Sequence, residues 1–230
     1  YIESFNYYMS KFFTDNKKTN SENSTLQIQR DGIQFLENLN INSLDFIVYN
    51  DQKIENTAVT TNEIDFNKGE LFCKKSNFFE LAKNYLGVSE CNLFIHSWNT
   101  YSYTKEFQVK TNLWHRDRDG IKLCKIFIYL TDVTNKCGGH FYIKGSHKKK
   151  PLRFVPQFRF KDEIVKKNFN NSNIIEVLGD AGTCFFEDTT GLHRGSKPEN
   201  GNKRSILSFT FFTGPLLPDQ NCKIVNLGEF

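Results

Sequence analysis

Between Leu93 and Phe212 the chain reads as short apolar runs cut apart by turns, and this pattern restricts the fold more than any other feature. The runs are Leu93–Trp98, Phe107–Trp114, Leu123–Leu130, His140–Ile143, Ile174–Leu178, Thr183–Phe186 and Arg204–Phe212. Runs of this length and composition are read as strands. Gly138-Gly139, Gly179-Asp180-Ala181-Gly182 and Pro198-Glu199-Asn200-Gly201 supply turn chemistry between them. Many short strands with regular turns predict a sandwich or barrel.

Helical signals come earlier. Ile2, Phe5, Tyr8, Met9, Phe12 and Phe13 recur at helical spacing over residues 1–16, and residues 14–25 are polar. The predicted organisation is therefore a helix and linker over 1–25, then one domain over 26–230. Asp31 to Leu36 reads as the opening of a second short helix, and Leu44–Tyr49 as a strand. Residues 50–76 carry no consistent period. Asn77–Leu86 reads as a helix with Asn77 as its cap and Gly87 as its stop. Lys148–Asn173 is polar, basic and long for a plain connection, which predicts a mobile lid or a substrate-side insertion.

Bulk properties exclude several function classes. A net charge of +4 on 230 residues is small for a nucleic-acid binder, so no nucleic-acid partner is expected. Lys148-Lys149-Lys150, with Arg153 nearby, reads as a solvated loop, with an anionic substrate handle as the alternative. The six cysteines, at 73, 91, 124, 137, 184 and 222, include no C-x-x-C pair, which removes zinc-ribbon and thioredoxin readings. Several lie in apolar runs and suit buried thiols of a reducing compartment, so a cytoplasmic location is expected. No apolar stretch approaches the ~20 residues that a membrane helix needs, and no signal peptide is visible. With 23 phenylalanines against one methionine, the core should be aromatic-rich.

Chemistry concentrates in four residues. His115 and Asp117 form an H-x-D in Trp114-His115-Arg116-Asp117, His193 lies in Gly191-Leu192-His193-Arg194-Gly195, and Arg204 follows His193 by eleven residues. Two imidazoles and one carboxylate can occupy one face of an iron(II) ion and leave three positions open. A guanidinium at the start of the last apolar strand needs an anionic partner if it is buried, and a planar fork suits a carboxylate. An H-x-D alone is weak. Here it follows a β-like run, the second histidine follows a strand and turn, and one site explains all the pieces. Asp119 is a rival to Asp117, set aside on the H-x-D geometry. His147, His140 and His96 read as structural histidines, with His96 near the pocket. Trp114 and Trp98 read as packing residues before substrate platforms.

The same residues carry a resemblance. Trp114-His115-Arg116-Asp117, then Gly139 through the strand to Gly145-Ser146-His147-Lys148, Gly179-Asp180-Ala181-Gly182, His193-Arg194-Gly195-Ser196 and Arg204 resemble the phytanoyl-CoA dioxygenase family of iron(II)/2-oxoglutarate oxygenases. The resemblance runs from about Asp31 to Phe212. Departures are Lys144, where the family often has proline, and Cys137-Gly138-Gly139 in place of Asn-Gly. It implies a mainly β fold, a double-stranded β-helix of jelly-roll or cupin-like form, with flanking α-helices. It implies His115, Asp117 and His193 as iron ligands and Arg204 on the 2-oxoglutarate C5 carboxylate. Ser196, Asn99, Phe127 and Tyr129 are the implied further cosubstrate contacts. The implied cofactors are Fe(II), 2-oxoglutarate and O2, with ascorbate as reductant, and the implied partner is a small-molecule substrate. Related halogenases replace the carboxylate ligand with a small residue, so Asp117 points to hydroxylation. Desaturation or epimerisation on the same centre, a silent binding barrel, and a zinc or manganese cupin remain the alternatives, the last having no need of Arg204.

Overall fold

The computed structural model describes residues 27–50, 58–103, 112–118, 120–149 and 159–214. The expected N-terminal helix and linker, Asp119, Cys222, most of the Phe107–Trp114 run and the basic run's end lie outside the described residues.

In chain order the strands are β1 (Ile33–Phe35), β2 (Ile47–Val48), β3 (Val59–Thr61), β4 (Glu63–Ile64), β5 (Asn92–Tyr101), β6 (Trp114–His115) and β7 (Lys122–Tyr129). They continue with β8 (His140–Ile143), β9 (Arg159–Phe160), β10 (Ile174–Val177), β11 (Cys184–Glu187), β12 (His193–Gly195) and β13 (Lys203–Thr213). Among the described residues, besides the helical turn at 27–31, they are accompanied by α1 (Phe66–Lys75), α2 (Phe78–Leu86) and α3 (Asp162–Asn168). Two antiparallel sheets face each other, one ordered β1-β11-β7-β13-β5-β3 and the other β10-β8-β12-β6-β9. This is the mainly β jelly-roll expected of the sequence, closed on one side by helices.

Alternation along the central strands sorts side chains into two layers. On β13, Leu207, Phe209 and Phe211 point outward and join Ile126 and Ile128 of β7 beneath α1 and α2. The rings pack edge-on and stacked: Phe209 lies 6.0 Å from Phe72 and 5.5 Å from Phe78. The opposite face carries Ile206, Phe127, Tyr129 and Phe185 into the space between the sheets, where Tyr142 and Val177 of the second sheet meet them. A third cluster of Trp114, Ile143, Phe160, Val165 and Leu192 lies on the outer side of the second sheet. The described cysteines are free thiols, four of them buried. No helix among the described residues is long and apolar enough to cross a membrane.

Several elements differ from the sequence reading. Asp31–Leu36 does not open a helix. Residues 27–31 end one, Gly32 turns left-handed (φ +79°), and Ile33–Phe35 pairs with β11. A residue with positive φ stops a helix, and glycine adopts it at little cost. Residues 50–76 hold β3, β4 and α1, which starts at Asp65 with its carboxylate accepting the Lys68 N–H at 3.2 Å. Asn77 precedes α2 as expected but makes no side-chain cap. It is left-handed itself (φ 58°), whereas Gly87 stops the helix as read. The lid reading fails for 159–173. Arg159 pairs with His115, Val165 is fully buried, and Asp162 binds Arg194 at 2.7 Å, so this part is built into the second sheet.

Candidate metal centre

The second sheet brings the two histidines together. His193 is the register partner of His115, so β12 and β6 place both side chains on one face, ring centres 4.3 Å apart. Asp117 follows β6, held by its backbone N–H on the Thr189 carbonyl at 2.8 Å. Ligand atoms of His115, Asp117 and His193 all lie within 4.8 Å of one another. Each imidazole is oriented by the carbonyl two residues earlier: His115 Nδ1 lies 2.8 Å from Leu113 O and His193 Nδ1 lies 3.1 Å from Gly191 O. A ring whose Nδ1–H is given to a carbonyl presents a bare Nε2, the arrangement metal-binding histidines require. The Nε2 atoms are the ones that face Asp117, at 3.9 and 3.7 Å.

Electrostatics favour the metal-ready protonation states. Burial pushes His115 below the usual imidazole value, and burial, aided by the neighbouring His115, brings His193 down to about 4. Both rings are then neutral near pH 7, as a ligand must be. Burial alone would raise Asp117. The ammonium of Lys125, 2.8 Å from Oδ2, and the two imidazoles outweigh it and hold the carboxyl well below its ordinary range.

The triad opens on a cavity of about 430 Å³ between the sheets. Arg204 stands at one end, 4% exposed, with Nε and Nη1 buried and unpartnered among the described residues. A buried cation with unmade hydrogen bonds is costly unless a ligand completes it. Gly195 makes room for it, because a Cβ there would run into Arg204 Nη2. Three nitrogen and oxygen donors on one face and a free planar fork at the end of the same cavity fit a divalent ion chelated by a dicarboxylate.

Of the expected cosubstrate contacts, Phe127 lines the cavity. Asn99 does not. It points to the other face of β5, with Nδ2 on Asn50 O at 2.8 Å and Asn62 Oδ1 at 3.0 Å, and Oδ1 taking the Ser205 hydroxyl at 2.5 Å. Trp98, one residue earlier, is the side chain that faces inward. Tyr129 is fully buried behind Phe127 and gives its hydroxyl to Val177 O at 2.8 Å, so it supports the wall without lining it. Ser196 also lies off the lining, and Gly195 takes that place. His147 is structural, bound through Nε2 to Gln29 O at 3.0 Å. His96 lies in the cavity wall, stacked between Phe94 and Trp98, while Trp114 is a packing residue under Arg194.

Lys125 and Glu187, which line or flank the cavity, escape the sequence reading, and His140 has only a structural role in it. Lys125 is the one charged position in the apolar run Leu123–Tyr129, a signal that was available. His140 lines the cavity and contacts Glu187 Oε2 through Nε2 at 2.7 Å. Burial raises Glu187, which is fully enclosed, to about 8, and burial together with Arg204 lowers His140 to about 3. The pairing of β11 with β7 sets Glu187 beside Lys125, which no local sequence feature encodes.

Residues 40–205 match the sequence pattern of the phytanoyl-CoA dioxygenase family. No curated protein matches the chain in sequence. Among solved structures the chain is similar to SnoN, a non-heme α-ketoglutarate-dependent epimerase from nogalamycin biosynthesis, in complex with Fe3+, α-ketoglutarate and nogalamycin RO. The TM-score is 0.60 at 13% identity, over 89% of this chain and 92% of that one. EvdO2 from Micromonospora carbonacea var. aurantiaca, complexed with 2-oxoglutarate, aligns with a TM-score of 0.57 at 11% identity over 89% and 96%. The non-heme monooxygenase ThoJ gives 0.58 at 15% over 88% and 83%. At these identities the likeness is one of fold.

Proposed function

Since the chain belongs to the phytanoyl-CoA dioxygenase family, we propose that it is an iron(II)- and 2-oxoglutarate-dependent dioxygenase that hydroxylates a small-molecule substrate, releasing succinate and CO2. One observation carries the reading: His115, Asp117 and His193 share a cavity with a buried guanidinium whose Nε and Nη1 have no partner among the described residues. A zinc or manganese cupin would give Arg204 no task.

In this reading His115 Nε2, a carboxylate oxygen of Asp117 and His193 Nε2 hold the iron, and Arg204 holds the distal carboxylate of the cosubstrate. Bound there, iron(II) and 2-oxoglutarate would reduce O2, whose oxidising power would remove a hydrogen from the substrate. The chain's own work is positional. Leu113 O and Gly191 O fix which imidazole nitrogen faces the metal. Lys125 ties down Oδ2 of Asp117. Phe127 and Ile206, between Arg204 and the triad along the cavity wall, give the cosubstrate's methylene carbons an apolar bed and exclude water there. Asp117 fills the position that a halogenase leaves open, which supports oxygen transfer as the outcome.

The test is succinate release by the purified protein with iron(II), ascorbate and 2-oxoglutarate across a metabolite panel. A substrate should stimulate succinate formation and gain one oxygen atom by mass. His115→Ala and Asp117→Ala should fall to background. Stimulated turnover with a desaturated or epimerised product would keep the iron centre and reject hydroxylation. Full turnover in Asp117→Ala would reject the ligand set.

A further inference from the structure

At the end away from Arg204 the cavity's lining carries polar side chains among its aromatic ones. The inward face of β13 runs Arg204, Ile206, Ser208, Thr210. Register places Ser208 beside Phe127 and His96, and Thr210 beside Lys125 and Phe94. Neighbours across such a ladder stand about 4.5–5.5 Å apart, so His96, Ser208, Thr210 and Lys125 form one contiguous patch. Ser208 and Thr210 are each 3% exposed. His96, Ser208 and Thr210 all line the cavity, where solvent or a ligand can reach their polar atoms. Polar side chains turned into a cavity find their hydrogen-bond partners in water or in a ligand. The neighbouring outward residues Leu207, Phe209 and Phe211 are all apolar, so along this stretch the strand turns hydrophobic side chains to the helix-covered layer. A site built for a hydrocarbon chain would carry the same residue types inward. Three hydrogen-bonding groups in a row leave a hydrocarbon no way to satisfy them.

Lys125 adds charge to this patch. Its ammonium is held at the triad by Asp117 Oδ2, 2.8 Å away, and cannot swing out to solvent without breaking that pair. It is the cation on this wall among the described residues, and the other lining cation, Arg204, stands at the opposite end. On the aromatic side of the wall Phe94, His96 and Trp98 stack along one strand at 5.9 and 5.1 Å.

We propose that the substrate is a compact hydrophilic carboxylate, an amino or hydroxy acid, held by His96, Ser208, Thr210 and Lys125, and not a fatty acyl group. This deepens the reading of the site as an iron/2-oxoglutarate centre and rests on it. In such a complex the carboxylate lies against Lys125 and Thr210. The amino or hydroxyl group meets Ser208 and His96, which sets the carbon chain between this wall and the triad.

The probes are C3–C6 amino and hydroxy acids, the methyl ester of each, and octanoyl-CoA. Binding is read by calorimetry on the protein loaded with Mn(II) and 2-oxoglutarate, and turnover as succinate formation with iron(II). At least one acid should bind and stimulate succinate formation, its ester should bind at least about tenfold more weakly, and octanoyl-CoA should do neither. Thr210→Val keeps volume and loses the hydroxyl, and Lys125→Met keeps the stem and loses the charge. Each should weaken the best acid by about tenfold or more, the order expected for losing a hydrogen bond to a charged group. The proposal is overturned if octanoyl-CoA is the better ligand, if no acid binds or stimulates, or if both variants bind the acid as tightly as the parent. Failure of 2-oxoglutarate itself to bind the Mn(II) protein would instead reject the reading of the centre on which the proposal rests.

Discussion

Gly195 is the residue on which the cosubstrate end of the cavity depends most narrowly. Adding a methyl group at this position pushes Arg204 Nη2 out of place, because the Cβ would overlap it. Gly195→Ala should therefore weaken 2-oxoglutarate binding at least about tenfold, the effect of losing one charge-assisted hydrogen bond. Mn(II) affinity, set by residues elsewhere in the cavity, should stay within about twofold, and calorimetry of the two ligands separates the cases. The buried titrating groups make a second prediction. His193 and His140 titrate at about 4 and about 3 in the folded chain, against 6.5 ordinarily. Unfolding takes up protons that the fold refuses, so their contribution is complete above about 6.5 and is lost as pH falls. Glu187 acts with the opposite sign. Its folded value of about 8 lies above the ordinary 4.5, so its contribution is complete below 4.5 and is lost as pH rises toward 8. Two histidines outweigh one glutamate below 6.5, and only the glutamate acts above it. The chelator-treated protein should therefore have its highest melting temperature near pH 6.5, and Glu187→Gln should flatten the alkaline decline. A melting temperature that climbs steadily to pH 8 would contradict the assignment of Glu187. At this scale the sequence was legible where a motif is local. His115, Asp117, His193 and Arg204 stand out by motif, strand context and family resemblance, and the fold brings all four to one cavity. Asn99 was assigned inward because strand parity was not known, and register settles it on the other face. Lys125, His140 and Glu187 matter through partners on other strands.

β13 is the element that joins stability to function, since its two faces serve two layers. Its outward Phe209 is fully buried against Phe46, Phe72 and Phe78. Phe209→Ala should cost about 3–5 kcal/mol, the usual range for emptying an aromatic site in a packed core. A shift of the urea midpoint with an unchanged slope is the expected record, and a loss under 1 kcal/mol would mean that the helices do not seal this face as described. β5, β7, β8, β10, β11 and β13 were legible because apolar runs and glycine turns act locally, whereas β9 and β12, of two and three residues, were not read as strands. The elements missed were short or set by tertiary contacts. β3 and β4 span three and two residues, too few to show a period. The segment read as a lid contains α3, whose single fully buried residue, Val165, docks it beneath Trp114 and Phe160. A basic composition hid that contact.

At the scale of the molecule, the two large antiparallel sheets clasp the cavity that holds the triad, with helices covering the larger sheet, and stability should follow what that cavity holds. A ligand at a hundred times its Kd stabilises the fold by about 2.7 kcal/mol, which for a chain of this size is a rise of about 5–10 °C in melting temperature. Mn(II) with 2-oxoglutarate should give such a rise in the parent, and Mn(II) should give little in Asp117→Ala. The fold class was visible in the pattern of runs and turns, and it does not by itself assign an activity. The proposed activity rests on Arg204 beside the triad, so the most direct test is the affinity of the Mn(II)-loaded protein for 2-oxoglutarate, measured by calorimetry in the parent and in Arg204→Ala. Removing one partner of a buried charged pair costs about 3–5 kcal/mol, or a few hundredfold at about 1.4 kcal/mol per factor of ten. The account predicts one-to-one, metal-dependent binding in the parent, weakened a few hundredfold in Arg204→Ala with Mn(II) affinity unchanged. No binding in the parent, or equal binding in both proteins, would contradict it.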